Sequence, residues 1–175
     1  APWVRRAVVQ REFPNRLKVV LLEHKAVAYW GAEGDSRLVN TMGEVFEANP
    51  GDVETEELPV LNGPKGQAPQ VLEAYHALAP LFEEMDTVLE QLQLREQGSW
   101  RAQLDSGAVI ELGHGSLEEV QARTRRFIDT VTQVSSRFGR DVESADLRYT
   151  SGYALKLRGV TTGDVDDKVE EDKKR

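Results

Sequence analysis

Three histidines, His24, His76 and His114, are the side chains best suited to move a proton near neutral pH. They share no metal-ligand spacing, and the chain has no cysteine to complete a mixed site, so a surface or structural role fits each. Gly113-His114-Gly115-Ser116 invites a nucleophile reading, because a serine on a sharp strand-to-helix turn beside a histidine suits acyl transfer. The Gly-x-Ser-x-Gly frame fails at Leu117-Glu118, and Ser116 followed three residues later by Glu119 reads as a helix capping box. Gly63-Pro64-Lys65-Gly66 lacks the spacing of a phosphate loop and reads as a turn. Among 30 carboxylates, Glu83-Glu84 and Asp166-Asp167 have no spacing that would set an acid against a base, and such runs are solvated faces. Trp30 and Trp100 fall in strand patterns, where core packing outweighs a ligand platform. No catalytic, cofactor-binding or metal-ligating residues are assigned, and without cysteine there is no disulfide, thiolate site or thiol nucleophile.

The elements that carry these residues follow from periodicity. Trp3 to Trp30 is β in character, with a hairpin signal at Phe13-Pro14-Asn15-Arg16. Gly31 to Gly66 is short-strand and turn material. Val71, Leu72, Tyr75, Leu78, Ala79, Phe82 and Met85 form one helical stripe, with a kink expected near His76 from Pro80. Strands follow over Val88–Leu94, Trp100–Leu104 and Ala108–Leu112. A second helix runs from Ser116 to Gly139 with the stripe Leu117, Val120, Phe127, Val131, Val134 and Phe138. A last hairpin, Val142–Tyr149 and Tyr153–Leu157, turns at Thr150-Ser151-Gly152. The fold class is therefore α+β, a mixed or antiparallel sheet covered by two helices.

With 175 residues the chain can hide roughly 70% of its unfolded surface and needs no staple. Its net charge is −8, of which −2 lies in Asp164–Arg175, so phosphate backbones and anionic lipid repel the body and nucleic-acid binding is not expected. No apolar run is long enough to span a membrane. Because Ala1-Pro2-Trp3-Val4 is already strand-like, the chain reads as a piece whose N-terminus, with any anchor or signal, lies upstream. Residues 159–175 are polar and charge-dense, a composition expected to be disordered.

Several segments in this order resemble the bacterial cell-division FtsQ (DivIB) family. They are Trp3-Val4, Phe13-Pro14-Asn15-Arg16-Leu17-Lys18-Val19, Ala28-Tyr29-Trp30, Gly43-Glu44-Val45-Phe46, and Leu58-Pro59-Val60-Leu61 with Gly63-Pro64-Lys65-Gly66. Ser99-Trp100, Arg126-Phe127 and Asp146-Leu147-Arg148-Tyr149 with Gly152 continue the likeness, which covers residues 3 to 157. Two departures stand out: Leu157 where relatives often carry Trp, and Gln97-Gly98 before Ser99-Trp100.

The resemblance implies a non-catalytic scaffold of the division machinery, with no cofactor. Its partners would be the FtsB and FtsL pair and other division proteins, recruited by an FtsB strand adding to the last sheet edge. Carried over by position, the contact residues are Arg148, Tyr149, Ser151, Gly152, Tyr153, Leu155, Leu157 and Arg158. The resemblance further implies residues 1–30 as the end of a POTRA domain, 31–158 as the β domain, and a single-pass inner-membrane protein with its bulk in the periplasm, held by an N-terminal anchor absent from this chain. Two competing readings are a POTRA-type chaperone or transport module for extended clients, which the lack of repeats opposes, and a small periplasmic serine hydrolase using His114 and Ser116.

Overall fold

The computed structural model describes residues 2–31, 35–52 and 57–159. The tail expected to be disordered thus lies, apart from Gly159, outside the described residues. Eleven strands occur among the described residues: β1 (Val4–Glu12), β2 (Arg16–Glu23), β3 (Ala26–Trp30), β4 (Arg37–Asn40), β5 (Val45–Glu47), β6 (Val60–Asn62), β7 (Leu89–Leu94), β8 (Trp100–Leu104), β9 (Val109–Gly113), β10 (Val142–Asp146) and β11 (Ala154–Leu157). Two helices, α1 (Ala68–Glu83) and α2 (Leu117–Phe138), complete the layers. β1 and β2 form a separate hairpin, and the rest make one sheet of nine strands in the order β11-β10-β9-β8-β7-β6-β3-β4-β5. The architecture is the α+β arrangement expected from the helical stripes.

Topology dictates that both helices lie on one face. β6 and β7 are parallel and joined by α1, while β9 and β10 are parallel and joined by α2. Strand direction alternates through the antiparallel β7-β8-β9 ladders, so both crossovers run the same way along the sheet from strands of the same sense. Right-handed crossovers then place both helices on the same side. There they pack beside each other, joined at the surface by Arg125 and Glu84 at 2.5 Å.

Beneath them lies the main core: Leu61, Val71, Leu78, Phe82, Leu92, Trp100, Ile110, Leu112, Phe127 and Val131, all nearly free of solvent. Ser116 caps α2, its Oγ accepting from the Glu119 N–H at 3.2 Å while Glu119 Oε2 accepts from the Ser116 N–H at 2.7 Å. Such a cap is worth about 1 kcal/mol. α2 ends at Gly139, whose φ of 59° is left-handed, as a side chain would resist. Its buried stripe differs from the expected one. Thr124 and Ile128 are buried, whereas Phe138 is 60% exposed. Thr124 is tolerated because its hydroxyl donates to the Val120 carbonyl at 2.8 Å. α1 runs on through Pro80, which sits with His76 on the exposed face, where solvent can meet the carbonyl the proline leaves unpaired.

The expected boundary after residue 30 falls within the nine-stranded sheet. β3 pairs in parallel with β6 and antiparallel with β4, and its Ala28 and Trp30 lie in the main core. An apolar run of five residues announces a strand without naming its neighbours, which is why sequence grouped it with the hairpin before it. On the opposite face, Leu38, Phe46 and Ala48 form a small second cluster against which Trp3, Ala26 and Tyr29 pack. Trp3 meets Phe46 edge-on at 5.4 Å, and so fastens the root of the hairpin to the sheet. Beyond that root every residue from Val9 to Glu23 is exposed.

Candidate partner-binding edge

β11 closes one end of the nine-stranded sheet, and alternation decides which of its backbone groups are free. On β10, Leu147 just past the strand donates its N–H to Glu111 of β9 at 2.8 Å, so odd-numbered residues of β10 face β9 and Ser144 and Asp146 face β11. Their partners are Lys156 and Ala154. The Arg158 N–H, bonded to the Asp141 carbonyl at 2.8 Å, confirms the parity. Ala154, Lys156 and Arg158 therefore spend their backbone groups on β10, and Leu155 and Leu157 turn theirs outward. Among the described residues no strand lies beyond them.

Side chains follow the same alternation. Tyr153, Leu155 and Leu157 point to the helical side. Tyr153 lies edge-on to Phe127 at 5.0 Å and its hydroxyl is 2.7 Å from that of Thr130. Leu155 is partly buried against the core and Leu157 is only 9% exposed. These three positions can meet a partner strand through backbone groups, since their side chains are committed to the fold. Ala154 and Lys156 face the uncovered side, where Lys156 Nζ pairs with Glu143 at 2.8 Å. The Arg158 guanidinium donates to the Ser106 carbonyl at 2.7 Å. Such exposed contacts are worth at most about 1 kcal/mol and can be exchanged for a partner's.

The β10–β11 turn gathers the remaining predicted residues. Arg148 grips Asp146 with two contacts, Nε to Oδ1 at 2.8 Å and Nη2 to Oδ2 at 2.6 Å. This hydrogen bonding holds the Asp146 carboxyl below the ordinary carboxylate range and raises Arg148 in turn. The stem of Arg148 lies over Gly113, which has a φ of 82°, and a Cβ there would sit 3.2 Å from Arg148 Cγ. Tyr149 projects with 58% of its surface exposed, and Ser151 and Gly152 are exposed beside it.

Between this turn and α2 lies a cavity of about 200 Å³, lined by Arg123, Arg126, Phe127, Ser151, Gly152 and Tyr153 among others. Arg123 is spent on structure, donating to the carbonyls of Leu112 and of His114, the latter at 3.0 Å. Arg126 forms no ion pair among the described residues. Sequence reasoning used Arg126 only as a helix marker. Its 22-residue separation from Arg148 gave no hint that helix and turn would meet. Of the alternative catalytic pair, Ser116 is engaged in its cap, and the exposed His114 ring lies near Gly98, its Cδ2 3.8 Å from where a Cβ would stand.

Comparison with known proteins bears on the whole arrangement. The sequence profile described as "Cell division protein FtsQ/DivIB, C-terminal" matches residues 28–148. The chain belongs to the FtsQ/DivIB family. It is similar to the Cell division protein FtsQ of Thiomonas arsenitoxydans, 41% identical over 161 residues, covering 91% of this chain and 59% of that protein. The FtsQ of Burkholderia pseudomallei is 36% identical over 160 residues, covering 91% of this chain and 62% of that protein. The FtsQ of Nitrosospira multiformis is 35% identical over 154 residues, with coverages of 88% and 61%. The chain thus spans about three fifths of the length of these relatives. The profile match begins inside β3, consistent with β3 belonging to the large sheet, and it ends at Arg148, so β11 lies beyond the matched span. Among the described residues of this FtsQ-family chain, no helix is long and apolar enough to cross a membrane.

Proposed function

We propose that this chain is the non-catalytic, partner-recruiting part of a bacterial division protein, and that it binds the FtsB and FtsL pair by accepting an FtsB strand along the outer edge of β11. One observation carries the reading. The backbone groups of Leu155 and Leu157 face outward at the end of a nine-stranded sheet, within one turn of the exposed ring of Tyr149. Main-chain bonds at such an edge give affinity, and neighbouring side chains give specificity. A rigid exposed aromatic supplies the anchor common at binding hot spots. The cations Arg126 beside the turn and Lys156 and Arg158 along β11 suit an acidic partner segment.

The β1–β2 hairpin is the end of a POTRA domain, which gives its exposed Val9, Leu17, Val19 and Leu21 a covering surface in the longer protein. The body from β3 to Arg158 is the β domain. In the intact protein an N-terminal anchor holds both in the inner membrane, with the bulk in the periplasm.

Binding of this chain to the periplasmic segments of FtsB and FtsL tests the proposal. A complex should form, and Tyr149→Ala should weaken it at least tenfold, about 1.4 kcal/mol, with circular dichroism and melting temperature unchanged. Failure of the folded chain to bind either segment contradicts it.

A further inference from the structure

The hairpin root holds a hydrogen-bond arrangement with one permitted protonation state. Asn40, 2% exposed, accepts from the N–H groups of Met42 and Glu44 through Oδ1, both at 2.9 Å, and donates through Nδ2 to Glu44 Oε2 at 2.9 Å. These three bonds fix which way its amide points. The second Nδ2 hydrogen faces His24 Nδ1 at 2.9 Å, so that nitrogen must be a bare acceptor and the ring hydrogen must sit on Nε2. The same ring stacks on Phe46 at 4.2 Å and 4°, and the His24 N–H donates to the Trp3 carbonyl at 2.7 Å.

We propose that this root is a pH-sensitive latch, closed on neutral His24 and opened when His24 takes up a proton. A proton on Nδ1 sets two donors against each other. Turning the Asn40 amide gives no relief, because its NH₂ would then oppose two backbone N–H groups and its oxygen would oppose the Glu44 carboxylate. Of the charged groups around the ring, Glu44 attracts an imidazolium, but its oxygens already bind Arg5 at 2.8 and 2.7 Å and Asn40. Arg5 opposes the added charge. Glu23 and Lys25 flank His24 with opposite signs, and Asp52 is held 3.3 Å from the Trp3 indole nitrogen. Because every residue from Val9 to Glu23 is exposed, opening the root frees the direction of the whole hairpin while the nine-stranded sheet stays intact.

Proton NMR on the full chain tests this between about pH 8 and about pH 5, the range in which histidine changes charge. The Trp3–Phe46 contact should weaken at least fivefold between the basic and the acidic end, while core amides such as Ile110 and Leu61 hold their shifts. In His24→Gln, which accepts from Asn40 but takes no proton, the contact should persist throughout. Persistence of the contact in the wild type at the acidic end overturns the proposal, as does an equal loss in His24→Gln.

Discussion

Tyr153 stands edge-on to Phe127 at 5.0 Å and 87°, tying the edge strand to the middle of α2. This contact anchors the free edge of the sheet on its helical side. A strand that binds there meets preformed backbone groups and pays little to order them.

The packing on that side predicts which substitutions act on the fold. Leu157→Ala removes a buried side chain at the sheet end and should cost about 2–4 kcal/mol in urea unfolding. Tyr153→Phe keeps the ring and loses only the bond to Thr130, so the cost should be about 1 kcal/mol or less. Equal destabilisation by the two would contradict this packing.

The division of the chain predicts where it can be cut. A chain starting at Lys25 retains β3 and should unfold in one cooperative transition. A chain starting at Ala32 loses Ala28 and Trp30 from the core and opens the edge of β6. It should unfold at clearly lower urea concentration, or lack a cooperative transition. Equal midpoints would return the boundary to residue 30.

Acid should act on the hairpin root through Glu44 as well as through His24. The Glu44 carboxyl is lowered to about 2, first by its hydrogen bonds to Arg5 and then by that from Asn40. A carboxylate lowered on folding stabilises the folded state above its ordinary value of about 4.3, and the contribution is lost as pH falls toward the folded value. Carbon NMR of the Glu44 carboxyl should show a midpoint near the lower value in His24→Gln, whose root stays closed in acid, and a rise when Arg5→Gln is added. An unchanged midpoint in that variant would assign the shift to another cause.

Sequence carried much of this fold because its strongest signals are local. The capping box at Ser116, the left-handed Gly139 and the apolar stripe of α1 each announce themselves within one or two helical turns. The stripe of α2 is less legible, since Phe138 continues the period yet is exposed, and Thr124 is buried with its hydroxyl bonded to its own helix. Pairing was beyond reach. That β3 joins β6, and that Arg126 meets the β10–β11 turn, depend on contacts between residues far apart in the chain. The contact residues carried over by resemblance lie at or beside one edge, but sequence could not tell Tyr153, Leu155 and Leu157, which offer backbone only, from Tyr149, which offers its ring. Nor could it tell that the N–H of Ala154 faces β10, so that a proline there would break the ladder inside the fold.

Strand addition at β11 is tested most directly by two variants of one residue. Leu155→Ala and Leu155→Pro lose nearly the same side-chain packing, but only proline removes the outward N–H. Affinity for the periplasmic segments of FtsB and FtsL should be measured for both, with circular dichroism confirming the fold. Binding within about threefold of wild type for alanine, with at least a further tenfold loss for proline, about 1.4 kcal/mol, is the predicted result. Equal affinity of the two folded variants would contradict strand addition at this edge.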